Sequence, residues 1–260
     1  MVNESNSFEV NEDLRLSLLA GDPIILNDNS GEICKVHALK LEEIKNMGLT
    51  MYYYYLSVLC NEPDDWQGHD NLFEYTLSMC LKNKNYAYLV LSAIVCFTKE
   101  SVYLGANGFI LDTKSDEKSG KVSDSSVGNK ERVINKSNFE NFIKLIKLQN
   151  CMSIEKEYKP ANKKAQEIIN RLNKSKKKKP KSKNNIDLAS IISGVVWRSS
   201  HTNIKNVWEL SVYQLYDAFY RLGVIDDFNL VMTGYYTGNI EKKDIDFKNL
   251  NWVKKIEPHK

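Results

Sequence analysis

Carboxylates and an imidazole crowd together in the stretch NEPDDWQGHD, where Asp64, Asp65, His69 and Asp70 lie within seven residues. Such a set could hold a divalent cation or divide acid and base work between its members, which makes a metal-dependent hydrolase one function class to weigh. The same stretch is rich in turn formers and precedes an apolar helical pattern, where aspartates serve turns and helix caps. The remaining histidines, His37, His201 and His259, are far apart, and none falls in an HExxH frame that would set two ligands on one helical face. Five cysteines, Cys34, Cys60, Cys80, Cys96 and Cys151, contain no CxxC pair to pin a zinc ion. Cys60, Cys80 and Cys96 sit in apolar helical patterns, as buried thiols do. Gly105 and Gly108 do not lead into a lysine-bearing helix as a phosphate loop requires, and Ser193-Gly194 lacks the GxSxG frame of a nucleophile elbow. The expectation is a chain with no catalytic residue, no metal ligand and no cofactor, hence not an enzyme.

Two other residue types could do work by binding. Between Lys156 and Lys183 stand twelve Lys or Arg against Glu157 and Glu167, so a chain of net charge +3 carries +10 in this segment and about −7 elsewhere. The lysines at its end, Lys176, Lys177, Lys178, Lys179 and Lys181, are the candidate contacts for a nucleic-acid backbone. No aromatic residue lies between Lys159 and Lys183 to stack on bases, and the bland reading is a solvated tether. The fourteen tyrosines are the stronger signal. Large amphipathic rings at helical spacing build core, and they also build grooves that hold a partner helix. Tyr52, Tyr55, Tyr213, Tyr216, Tyr220 and Tyr236, with Trp252, are the candidate partner-binding residues.

The elements that must carry these residues are mostly helical. At 260 residues, 42% hydrophobic and 27% charged, the chain can build a core without disulfides or metals. The longest apolar run, Tyr86 to Phe97, is too short to span a bilayer and is interrupted by Ser92. The start of the chain is polar and acidic where a secretory leader would be basic and then apolar, so the reading is a cytoplasmic protein. Turn residues Asn27 to Gly31 between two apolar runs, and Asn107-Gly108 within SVYLGANGFIL, predict two β-hairpins. Helices are predicted from Lys40 to Leu59 with a break near Gly48 and a cap at Thr50, over 71–82 with Asp70 as cap, and over 84–97. Ser137 and Glu140 read as a capping box for the next helix. Further helices are expected over 186–197, 207–222 with Gly223 as C-cap, and 224–236, followed by a tail anchored by Trp252. The fold class is therefore mainly α with small β-hairpins (α+β), in two helical parts joined by a basic linker. The parts are an N-terminal α+β domain over 1–154 with a disordered loop near 112–130, a lysine-rich linker or helix over 155–185, and a C-terminal helical domain over 186–260.

The C-terminal block carries a recognisable pattern. A helix packed by Tyr213, Leu215 and Tyr216 leads to one ending in Gly234, Tyr236, Gly238, Asn239 and Ile240. A closing Ile245, Asp246, Lys248 and Trp252 follows. This resembles the ends of tail-assembly-chaperone-like proteins from phages and prophages of low-GC Gram-positive bacteria. The openings LRLSLLAGDPIIL and EICKVHALKLEEIKNMGLTMYYYYLSVLC resemble phage structural-cluster proteins; about 50 residues at each end are covered. The resemblance implies a non-catalytic assembly protein in the bacterial host cell that binds and solubilises long helices of a phage tail protein, a tape measure or tube component. A homo-oligomer is a further partner to test for, and no membrane partner is expected. A nucleic-acid-binding phage protein and the metal-dependent hydrolase are the alternatives.

Overall fold

The protein was analysed as a computed structural model, which describes residues 10–29, 31–61, 71–112, 132–153 and 186–256. Helices begin where a short polar side chain can satisfy free backbone donors. Asn11 caps α1 (Glu12–Ala20), its Oδ1 accepting from the Leu14 N–H at 2.8 Å. A hairpin follows, β1 (Ile24–Asp28) against antiparallel β2 (Gly31–Val36). The predicted break at Gly48 separates α2 (Leu41–Met47) from α3 (Leu49–Cys60), but Gly48 itself occupies the cap position and Thr50 lies in the first turn of α3. In α4 (Leu72–Lys82) the cap is Asn71, whose side chain accepts from the Glu74 N–H, and Asn83 caps α5 (Lys84–Thr98). Asp70, expected as the α4 cap, lies outside the described residues.

The second hairpin forms a three-stranded sheet from β3 (Val102–Gly105), β4 (Gly108–Leu111) and β5 (Arg132–Ile134), all antiparallel. Gly105 pairs with Gly108, so the central turn residues are Ala106 and Asn107 and not the expected Asn107-Gly108. Gly108 is needed inside the strand for two reasons. Its φ is +147°, and a Cβ there would lie 2.3 Å from the Ile134 carbonyl oxygen of β5. Gly108→Ala is therefore expected to destabilise the protein by about 2 to 4 kcal/mol, read as a lowered urea midpoint. The loop expected near 112–130 lies, from 113 onward, outside the described residues.

The cap of α6 (Phe139–Gln149) is Asn138 and not Ser137. Asn138 accepts from the Asn135 N–H at 2.9 Å and donates to the Val133 carbonyl at 3.0 Å, while the Ser137 hydroxyl donates to Asn135 Oδ1. Glu140, expected in the capping box, pairs instead with Lys144 one turn on. Asp187 caps α7 (Leu188–Arg198), accepting from the Ser190 N–H at 2.7 Å. The two helices expected on either side of Gly223 are one: α8 (Val212–Tyr236) runs unbroken for 25 residues from a capping box of Ser211 and Gln214. Nothing there forces a stop, and a glycine inside a helix costs only about 1 kcal/mol. The expected start at 207 is a separate 3-10 turn, Val207–Glu209.

Four phenylalanines tie the sheet to the helices. The Phe73 ring is 5.4 Å from Phe139 and 6.3 Å from Phe109, with Phe109 and Phe142 lying 6.2 and 6.5 Å from Phe139. The inner face of α5, Val90, Ala93, Ile94 and Phe97, is wholly buried against them. This core also contains Leu188, Ile191, Val195, Val207, Val212 and Leu215, so the segment beyond 186 packs into the same interior as the first half of the chain. The two are also joined through the backbone. Leu41 N–H donates to the Leu210 carbonyl at 2.9 Å, Lys40 bridges to Ser211, and Gln214 Nε2 donates to the Leu19 carbonyl at 2.8 Å. The architecture is mainly helical with small antiparallel hairpins, the expected α+β class.

Candidate functional site

Four consecutive tyrosines on a helix must point in four directions, since successive side chains are about 100° apart. On α3, Tyr52 goes inward: it is 3% exposed and its hydroxyl donates to Asn150 Oδ1 at 2.8 Å. Tyr53 stays outside at 50% exposure, its ring 5.3 Å from that of Tyr52. Tyr54 faces solvent, and Tyr55 turns toward α5, where its hydroxyl pairs with Ser92. Tyr52, Tyr53, Leu56 and Ser57 thus form one side of a cleft. Val212 and Tyr216 of α8 and Leu188 of α7 form the other. The floor is Asn150, Cys151 and Met152, where the chain leaves α6 with Cys151 at φ +52°.

The cleft has a volume of about 450 Å³, within the ~300–1,000 Å³ typical of sites that take organic ligands or side chains. No side chain lining it is charged. Burial holds the Tyr52 and Tyr216 phenols above their ordinary range, with the neighbouring phenol groups adding to the effect, so the rings are neutral at physiological pH. A second groove of about 390 Å³ lies between α7 and α8, lined by Gly194, Val195 and Arg198 on one side and Phe219, Tyr220 and Gly223 on the other. Tyr216 and Tyr220, one turn apart with rings 6.3 Å from each other, connect the two.

The structure therefore brings together Tyr52, Tyr216 and Tyr220 of the expected partner-binding set. It does not bring the others to the same place. Tyr213 is 2% exposed and packs with Leu18 and Leu148, while Tyr55 is half-buried on the α5 side of α3. Tyr236 ends α8 at 78% exposure. Trp252, expected to anchor the tail, is 45% exposed, and what holds it is its carbonyl, which accepts from Arg221. Tyr53, Asn150, Met152 and Leu188 were not expected in a site. The sequence signal for Tyr53 was present, since positions 52, 53, 56 and 57 share one side of a helix. The signal for Asn150 and Met152 was not, because they sit past a helix end.

Lys176 to Lys181, and the constellation Asp64, Asp65, His69 and Asp70, lie outside the described residues. Among the described residues no group of three or more His, Cys, Asp or Glu could hold a metal ion. The thiols are poor nucleophiles. Burial pushes Cys34, Cys60, Cys80 and Cys151 up to about 12 and raises Cys96 as well. Alkylation with iodoacetamide at pH 8 is expected to leave the folded chain nearly unmodified over minutes, and to label all five cysteines in guanidinium chloride. Rapid labelling of the folded chain would contradict this.

The motif at the end of α8 also gains a physical meaning. Gly238, at φ +75°, is the left-handed residue that closes the helix, letting the Asn239 and Ile240 N–H groups donate to the Gly234 carbonyl at 2.9 and 3.1 Å. Gly234 leaves room for the Ile240 side chain, whose Cδ1 would be 2.6 Å from any Cβ placed there.

Among the described residues no helix is long and apolar enough to cross a membrane. Neither a search of curated proteins nor one of solved structures gave a match. Residues 176–257, which contain α7, α8 and the segment folded back on α8, are similar to the family described as YomV second domain, and that similarity points to a phage-derived protein.

Proposed function

We propose that this chain is a non-catalytic, phage-associated assembly protein that holds an apolar helical segment of a partner polypeptide in the cleft between α3 and α8. The observation that carries this reading is the lining of that cleft: three tyrosines, Leu56, Leu188, Val212 and Met152 with Cys151 and the uncharged polar Ser57, Asn61 and Asn150, and no charged group. A charged ligand would enter it without a counter-charge and lose its hydration, whereas an apolar helix face loses only unfavourable contact with water. Tyr53, half exposed, suits such a partner because an aromatic ring with a polar tip can cover apolar side chains at a wet edge, and Tyr216 adds a more buried ring beside it. The similarity of the C-terminal part to a phage-derived domain is the reason for looking for that partner among phage proteins. A tail tape-measure or tube component, whose long helices expose apolar stripes before assembly, is the proposed partner class. The work done is sequestration, with no bond made or broken.

Co-expression with the tail genes of the same phage tests this. A long helical tail protein is expected to stay soluble in the presence of the wild-type chain and to precipitate without it. Equal solubility of every tail protein in both cultures would overturn the assignment.

A further inference from the structure

Val212, Tyr216, Tyr220, Gly223 and Asp227 fall within about 80° of arc on α8, since each residue turns the helix by about 100°. The first two line the cleft and the other three line the second groove, so the two concavities follow one face of the helix for about 22 Å, or roughly four turns. Along that face the cover given by the rest of the chain runs out. Val212 is buried, Tyr216 half-buried, and Tyr220, Gly223 and Asp227 are exposed.

The groove end of this face has two features that the fold itself does not use. Gly194 stands inside α7 and Gly223 inside α8, where alanine would make the stronger helix. Apart from their own helices, no atom of the described residues lies within 4 Å of a Cβ placed at either, so packing within the chain does not require the missing side chains. What their absence keeps open is the groove of about 390 Å³ that both line, with the rings of Phe219 and Tyr220 beside them. A local rule broken with no gain inside the chain marks a place where something else has to fit. The second feature is charge. Among the described residues Arg198 is paired with Asp226, while Asp227 on the same rim has no ion pair.

We propose that the partner segment is an amphipathic helix of at least about four turns that runs from the cleft along α8 into this groove, with a lysine or arginine beyond its last apolar turn, beside Asp227. The inference rests on the reading of the cleft as a polypeptide site, and adds the length, direction and charge of what binds there. The gap left by Gly194 and Gly223 takes a bulky apolar side chain of that helix. An apolar floor that ends in one unmatched carboxylate suits an occupant that is apolar along its length and basic at one end. It also orients that occupant, because a reversed helix would set its cation against the uncharged cleft.

The segment that crosslinks to a benzophenone amino acid at Tyr53, made as a synthetic peptide, is the probe for titration against full-length chains. Gly223→Leu is expected to unfold at a urea concentration no lower than the wild type, because leucine suits a helix and the position is open, and to bind the peptide at least about tenfold more weakly because its side chain fills the groove. Wild-type affinity in Gly223→Leu, with affinity still lost in Tyr53→Asp, would overturn the proposal and leave the reading of the cleft in place. Wild-type affinity in both variants, or no adduct at Tyr53, would overturn both. Should Gly223→Leu not fold, a benzophenone at Tyr220 in the otherwise wild-type chain is expected to crosslink to the same segment, about one turn or more nearer a lysine or arginine than the Tyr53 adduct. An adduct on another polypeptide, or a segment with no basic residue at that end, would overturn the proposal.

Discussion

Phe139→Ala is expected to destabilise the protein by about 3 to 5 kcal/mol, a large part of the roughly 5 to 15 kcal/mol available to a domain of ordinary size. Phe139 is 2% exposed and stands at the centre of the aromatic group, touching Phe73 of α4, Phe109 of β4 and Phe142 of its own helix. Removing the ring deletes buried apolar surface, leaves a cavity between a sheet and two helices that cannot all close on it, and loses the edge-on contact with Phe73. The same core holds Leu188, Ile191 and Leu215, so the loss is not confined to the first half of the chain. Urea unfolding followed by tryptophan fluorescence checks this in a background where Trp66, Trp197 and Trp252 are replaced by Phe, so that Trp208, beside Lys45, alone reports on the 186–215 segment. A midpoint shift seen by circular dichroism but not by fluorescence would mean that the two segments unfold separately.

The second large effect concerns binding and leaves the fold alone. Tyr53 is half exposed at the rim of the cleft, so Tyr53→Asp is expected to change stability by no more than about 0.5 kcal/mol. It sets a carboxylate against an uncharged lining where an apolar helix must seat. A charged group covered by an apolar partner and left without a counter-charge costs about 2 kcal/mol or more, so the affinity for the partner is expected to fall at least about 30-fold. Tyr54→Asp is the matched control. Tyr54 is similarly exposed on the same helix, is not part of the cleft lining, and is expected to leave affinity within about threefold. Equal losses for both variants would mean that general surface polarity matters and the cleft does not.

How far the residues announce all this depends on how local the governing physics is. Helix starts at Asn11, Asn71, Asn83, Asp187 and Ser211 follow from one side chain reaching a donor two or three residues on, yet polar residues are frequent enough nearby that the sequence reading sets the α4 cap at Asp70 and misses Asn11, Asn83 and Ser211. The misassignments also have local causes. At 137–140 a serine and a glutamate stand in the spacing of a capping box, but the Ser137 hydroxyl is bonded to Asn135, and Asn138 holds the cap position with no side-chain capping bond, its amide bound to the Asn135 N–H and the Val133 carbonyl. Gly223 looks like a helix stop, yet no following residue folds back to exploit it, and α8 continues. Gly238 is the glycine that does close the helix, because Ile240 has a place to pack on Gly234. Long-range placement is different. That Tyr52 and Tyr216 share a cleft depends on Leu41 bonding Leu210 and on α7 packing along α8, neither of which any local pattern records. Tyrosine spacing identifies helices with aromatic faces. It does not say which faces meet: Tyr213, one residue past Val212, is fully enclosed, and Tyr216, one turn on, opens on the cleft.

The central claim is that the cleft between α3 and α8 holds part of another polypeptide, and photo-crosslinking from its rim tests this most directly. With a benzophenone amino acid in place of Tyr53, expressed in cells producing the phage, irradiation and mass spectrometry should yield one dominant adduct. The account predicts that this adduct maps to an apolar, helix-forming segment of a phage structural protein and that it disappears when Tyr216→Asp is added. An adduct to nucleic acid or a small metabolite, or a set of adducts no different from those formed at position 54, would contradict it.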